Sequence, residues 1–278
     1  MTTGRCMHKS SHRVSRLRVA LGTLVAVDAE AHSQTIARQG MTAAFEAISL
    51  VERLMHPTRA GSDLAALAAC APETPLVVHS WTWEVLELSR RLNEASRGIF
   101  DPCLATATGR MADLELEPPD RVIARTPLRV DLGGIAKGYA ADRAIDALRE
   151  AGCTGGLVNA GGDLAVFGTC NRGILCGAPC SAGVLVELRD AALATSDAAQ
   201  MPRPTEHRGY YHGVDRSLVV AGQVTVLAAS AAVADGLTKC LLSADRVLQG
   251  SLLRGFGAKQ IDPAMQVRKR APFPDPSA

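Results

Sequence analysis

The chain has 278 residues, 47% of them hydrophobic and only 4% aromatic, so Leu, Val, Ile and Ala must fill its core. A formal net charge of +2 is far from the dense positive field of a nucleic-acid binder. No apolar run is long and clean enough to span a membrane; residues 218–234 come nearest, and Gly222, Gln223 and Thr225 break them.

Residues 1–16 carry Arg5, Lys9, Arg13 and Arg16 with no acid before Asp28, and read as a basic, flexible N-terminus. Residues 19–27 read as a buried first strand. The competing reading is a signal peptide with Ala29-Glu-Ala31 as its cleavage site. Residues 42–55 place Phe45, Ile48, Val51, Leu54 and Met55 on one helical face, and His56-Pro57 ends that helix. Ser62 is positioned to cap a short second helix with Leu64 and Leu67 inward. A strand is expected at 75–78. A helix is expected at 80–96, with Val85, Leu86, Leu88 and Leu92 as its stripe and Gly98 at its end.

Residues 112–129, with Pro118, Pro119 and Pro127, read as a loop or edge hairpin. A strand at 128–132, a Gly-Gly turn and a helix at 136–151 follow. Strands are expected at 156–158, 164–167, 173–176, 184–188 and 219–227, with a turn-rich segment at 191–203. Helices at 230–242 and 247–253 complete the pattern, and the tail 261–278, with Pro272, Pro274 and Pro276, reads as disordered. The order predicts a single α+β domain over residues 17–260, with a mixed, largely antiparallel sheet flanked by helices.

The eight cysteines form no C-x-x-C pair, and Cys176 and Cys180 lack the second pair that a zinc site needs. They read as small buried thiols.

The chemistry concentrates where Asp131 precedes Gly133-Gly134 and a helix opens with Lys137 in its first turn. Free N–H groups at a helix start attract anions, and glycine lets a ligand approach closely. The same residues also describe a plain tight turn from strand to helix. Neither a Walker loop nor a dinucleotide fingerprint is present.

The run Asp131-Leu-Gly-Gly-Ile-Ala-Lys-Gly-Tyr-Ala140, followed by Leu157-Val-Asn-Ala-Gly-Gly-Asp163, resembles the signature of the FAD:protein FMN transferase family, the ApbE-type flavin transferases. Leu21-Gly-Thr23, Glu52-Arg-Leu-Met55, Ser96-Arg-Gly-Ile-Phe-Asp-Pro102, Ala192-Leu-Ala-Thr-Ser196, His212 with Asp215, and Val224 through Asp235 resemble its other segments in order. The resemblance implies a fold like the T-fold. It implies cleavage of the FAD pyrophosphate with Mg2+, transfer of FMN to a Thr or Ser hydroxyl of a target flavoprotein, and release of AMP. The alternatives are an FAD pyrophosphatase giving FMN and AMP, and a non-catalytic FAD-binding paralogue.

Carried over residue by residue, the resemblance implies a flavin site of Leu21, Ile99, Phe100, Asp101, Asp131, Lys137, Asn159, Gly161, Gly162, Asp163, Val214 and Asp215. It makes Asp235 and the backbone carbonyl of Gly134 the metal ligands, and His212 the base toward the incoming hydroxyl or a contact near the phosphates. The chain also departs from the family. Lys239 stands where a threonine is usual four residues after the metal aspartate, Asp215-Arg-Ser-Leu-Val219 replaces Asp-Pro-Arg-Thr-Gly, and Asp197 replaces a glycine. A cleaved signal would remove Leu21-Gly-Thr23, so a cytoplasmic protein is expected; export is the alternative if residues 19–27 act as a signal.

Overall fold

The computed structural model describes residues 11–103, 106, 108–168, 170, 172–176, 184–198 and 222–261; at Arg172, Leu175, Cys176 and Val184 it describes the backbone alone. The tail after Ile261 and the first ten residues lie outside them.

The first strand is in fact a hairpin. β1 (His12–Ala20) and β2 (Thr23–Ala31) pair antiparallel from His12↔Ala31 to Ala20↔Thr23. The basic segment therefore enters the sheet by residue 12, as an exposed edge strand carrying Arg13, Arg16 and Arg18. Charge on an edge strand discourages pairing with other chains. β2 buries Val25, Val27, Ala29 and Ala31, the alternation of a half-buried strand.

α1 (Gln34–Leu54) begins earlier than its apolar stripe suggests, because Ser33 caps it through a bond to the Ile36 amide. α2 (Asp63–Ala69) has the expected Ser62 cap. α3 (Ser80–Ala95) follows the short strand β3 (Pro75–Val77). Of the loop and the edge hairpin that residues 112–129 allow, the structure has the hairpin: β4 (Leu114–Glu117) and β5 (Arg121–Ala124) pair around Pro118-Pro119 and join β3 in a small sheet ordered β3-β5-β4.

The strand expected at 128–132 is not one. Leu128, Val130 and Leu132 are buried in alternation, but the segment joins no strand; its amides make isolated bonds, from Arg129 N–H to the Thr108 carbonyl and from Asp131 N–H to the Pro102 carbonyl. Period-two burial arises here without a ladder partner.

Beyond it come α4 (Ala136–Glu150), β6 (Gly155–Ala160), β7 (Asp163–Gly168), β8 (Arg172–Cys176) and β9 (Val184–Leu188). Then follow β10 (Ala191–Asp197), β11 (Gln223–Ala228), α5 (Ala231–Ser243), α6 (Arg246–Gly255) and β12 (Lys259–Ile261). The main sheet has seven strands, ordered β1-β2-β6-β7-β10-β11-β12, and every neighbouring pair is antiparallel.

Residues 191–197, expected to be turn-rich, form an interior strand of this sheet. Their small side chains are needed because both faces are covered. Ala192 and Ala194 join the main core with α1, α4 and α5, while Ala191 and Leu193 join a second core with Leu157, Leu164, Val166 and Leu188. β6, β7 and β11 divide their side chains between the two cores in the same way, with Val158 and Ala165 on the helix side and Leu227 on the other. Among the described residues, Cys103, Cys153, Cys170 and Cys240 are buried free thiols, as expected, whereas Cys70 is a half-buried one. Among the described residues no helix is long and apolar enough to cross a membrane.

Candidate active site

Two sharp turns form one end of the sheet. Leu21-Gly22 joins β1 to β2 with φ of 54° and 69°, the paired left-handed geometry that a two-residue hairpin favours. A branched side chain at such a φ is strained, so Leu21 sits there against its own preference. Gly161-Gly162 joins β6 to β7 with φ of 67° and 103°. The turns touch. Gly161 N–H donates to the Leu24 carbonyl at 3.2 Å, and a Cβ on Gly161 would lie 2.7 Å from Thr23 Oγ1. Asn159 Oδ1 accepts from Gly162 N–H at 2.8 Å and braces the turn. Leu21, Asn159, Gly161 and Gly162 are thus gathered together, and Asp163 leaves this turn as the buried first residue of β7.

The Gly133-Gly134 turn is held from within. Asp131 Oδ1 accepts from Gly133 N–H at 2.9 Å. Lys137 Nζ donates to the Gly133 carbonyl at 3.0 Å. No side chain of the N-cap residue Ile135 caps α4. Instead Gly138 N–H, in the first turn, donates to Asp235 Oδ2 at 3.3 Å. The anion-attracting helix start expected from the sequence receives a carboxylate from the chain itself. This requires α4 and α5 to cross closely: a Cβ on Gly138 would lie 2.3 Å from the Ala231 carbonyl oxygen.

Asp235 is presented by α5, whose N-terminus is fixed by two residues. Ser230 caps it, and Asp142 of α4 accepts from Ser230 Oγ at 2.7 Å, Ala231 N–H at 2.7 Å and Ala232 N–H at 2.9 Å. Burial still holds the Asp142 carboxyl above its ordinary range. Asp142 is invisible as a site residue in one dimension, because its partners lie about ninety residues away.

Four charged groups meet where α4, α5 and β7 converge. Lys137 Nζ lies 3.5 Å from Asp163 Oδ2 and 3.9 Å from Asp235 Oδ2. Lys239, one turn after Asp235 on the same helix face, forms a buried ion pair with Asp235 Oδ1. Thr238 is buried beside them, its Oγ1 donating to the Asp235 carbonyl and lying 2.7 Å from Ser196 Oγ. Burial drives the Asp163 pKa up to about 7; the Asp235 charge adds to the shift, and Lys137 and Lys239 oppose it. Burial pushes Asp235 upward too, but Lys137 and Lys239 outweigh it and hold the carboxyl below its ordinary range.

A narrow cleft opens beside this cluster, lined by Ile99, Phe100, Asp101, Pro102, Asp131, Gly134 and Lys239. It brings together most of the residues expected from the loop after α3 and from the Gly-Gly turn. The Asp101 carboxylate is committed to its own loop, accepting from Cys103 N–H at 2.9 Å and Met111 N–H at 3.2 Å. His212, Val214 and Asp215 lie outside the described residues.

The cluster does not fit magnesium. That ion seeks near-octahedral oxygen donors at ~2.1 Å. Here Asp235 Oδ1 meets the Lys239 ammonium, and Oδ2 meets the Gly138 N–H and faces Lys137. Among the described residues no three His, Cys, Asp or Glu side chains group as a metal site. Among the described residues Asp163 Oδ2 accepts no hydrogen bond, and Lys137 Nζ lies 3.5 Å from it.

Comparison with known proteins bears on the fold and the family. Over residues 21–253 the chain matches the model of the ApbE family. It is 28% identical over 188 residues to the FAD:protein FMN transferase of Treponema pallidum (strain Nichols). That match covers 55% of this chain and 51% of the relative, so the chain spans about half the relative's length. The apo crystal structure of flavinyl transferase ApbE from Pseudomonas stutzeri superposes with a TM-score of 0.74 at 19% identity, covering 89% of this chain and 90% of that one. The ApbE protein of Thermotoga maritima superposes with a TM-score of 0.72 at 22% identity, covering 90% and 93%. These solved structures establish the fold, and the family match extends across all three turns and both lysines of the cluster: the chain belongs to the ApbE family.

Proposed function

We propose that this chain is an FAD:protein FMN transferase. The observation that carries the reading is the convergence of Lys137 and Lys239 on Asp235 and Asp163, beside a cleft walled by Phe100, Asp131 and Gly134. A cluster that holds two ammonium groups on buried carboxylates suits a ligand whose reacting part is a pyrophosphate.

In the reaction, the hydroxyl oxygen of a Thr or Ser on the target flavoprotein attacks the phosphorus of the FMN half of FAD. The bond from that phosphorus to the bridging oxygen breaks, and AMP leaves with the electron pair. The hydroxyl proton passes to a base, the role that the family resemblance gives to His212. Little of this chemistry is covalent work for the protein; positioning and charge neutralisation carry it. Lys137, tethered to the Gly133 carbonyl, is placed to meet phosphate oxygens brought against the Gly-Gly turn. Asp235 holds Lys137 and Lys239 at that turn and ties α5 to α4. The resemblance also implies magnesium on Asp235 and the Gly134 carbonyl, which the donor set does not fit.

Incubation with FAD and a candidate flavoprotein, followed by intact-mass measurement, tests the proposal. A covalent FMN adduct with one AMP released per adduct is the expected result. FMN and AMP without an adduct would replace transfer by hydrolysis. Bound but intact FAD would mark a non-catalytic flavin binder.

A further inference from the structure

We infer that Lys239 takes the place of a divalent cation in this site, its ammonium on Asp235 supplying the positive charge opposite a bound pyrophosphate, so that the chain handles FAD without a metal ion. The inference rests on the flavin reading above and deepens it.

Three observations lead there. First, Lys239 is buried, 8% exposed, and its ammonium is paired with Asp235, which is fully buried. A lysine inside a protein needs such a partner, and the i,i+4 spacing on α5 fixes this one. Second, Lys239 lines the cleft together with Gly134 and Asp131, so it borders the space a ligand would enter. An ammonium has three N–H donors, and the pair with Asp235 engages one of them. Third, both oxygens of Asp235 already face donors: Lys239 on one side, Gly138 N–H and Lys137 on the other. A dication in contact with either oxygen would lie against an ammonium. Two cations already occupy the surroundings of the carboxylates, Lys137 facing Asp163 and Asp235, and Lys239 paired with Asp235. Pyrophosphate cleavage requires fixed positive charge near the phosphates, and a lysine delivers that as a point charge.

The test uses the whole chain and two independent readouts. Calorimetric titration with magnesium chloride, without FAD, reads metal binding; quenching of flavin fluorescence, in EDTA or in excess magnesium chloride, reads FAD affinity. The wild-type protein is expected to show no magnesium heat and the same FAD affinity in both buffers. Lys239→Thr is expected to lose FAD affinity about tenfold in EDTA and to regain it with magnesium, one unit charge being worth about that much. Lys239→Arg, which keeps the cation, is expected to stay indifferent to magnesium and guards against a threonine variant that does not fold. Stoichiometric magnesium binding by the wild type, or a gain of about tenfold or more in its FAD affinity with magnesium, would overturn the inference. Absence of FAD binding in both buffers would instead sink the flavin reading, while the titration without FAD still decides the metal question.

Discussion

The amide of Gly138 in α4 donates to Oδ2 of Asp235 in α5 at 3.3 Å, and a Cβ on Gly138 would strike the backbone of Ala231. The close crossing of the two helices and the placement of the central carboxylate are one structural fact.

Replacing Asp235 therefore has two consequences. Asp235→Ala strands the buried Lys239 ammonium, removes a partner of Lys137 and frees the Gly138 amide. Breaking a buried pair from one side costs about 3–5 kcal/mol. Urea unfolding should show a loss of that order, and FMN transfer should vanish. Asp235→Ala combined with Lys239→Met, which removes both charges, should recover much of the stability and none of the activity.

Gly138→Ala tests the crossing itself. The added methyl would lie 2.3 Å from the Ala231 carbonyl oxygen and 2.8 Å from the Ala232 nitrogen, so the helices must separate. A loss of about 3 kcal/mol or more is expected in chemical denaturation. Gly255→Ala, where nothing lies within 4 Å, is the control and should change stability by under about 1 kcal/mol. Equal effects at the two sites would refute the packing argument.

At Leu21 stability and function should move in opposite directions. Its φ of 54° suits glycine or asparagine better. Leu21→Gly is expected to raise stability by about 1 kcal/mol. If the side chain forms part of the flavin site, the same change lowers FAD affinity. A thermal melt and a flavin titration on one preparation check both signs.

Asp163 sets a pH dependence. Its folded pKa, about 7, lies above the ordinary 3.8, so the folded state holds a proton that the unfolded state releases. The resulting stabilisation is complete below pH 3.8 and is lost as pH rises toward 7. Asp235, shifted downward, acts in the opposite sense: its contribution is present above the ordinary value and is lost as pH falls below it. Asp163→Asn should remove the decline between pH 4 and 7, a difference on the order of a few kcal/mol across that window in urea unfolding. An unchanged profile in the variant would show that Asp163 is ionised throughout.

Much of the architecture was legible, and the misreadings have physical causes. The helix cap at Ser62 follows from local chemistry, and the prolines at 118 and 119 allow the hairpin as one of two outcomes. The β1–β2 turn hides within an apparently continuous strand because leucine rarely takes a left-handed φ, leaving Gly22 as the one local signal. Residues 191–197 read as turn because alanines carry little periodicity; their burial on both faces comes from helices and strands remote in sequence. In the site, the ordered segments named Asp131, Lys137, Asp163 and Asp235, but not Asp142, whose role exists only where α4 meets α5.

By itself the sequence determined the family and the kinds of residue in the site, because long segments in fixed order depend on local chemistry that survives in one dimension. It marked Lys239 as a departure without showing what the departure does. Only the tertiary structure decided which group Lys239 meets. Folding α5 across Gly138 buries Asp235 between two lysines, and in that low-dielectric setting the distances between charges, which one dimension does not record, set how strongly each pair interacts.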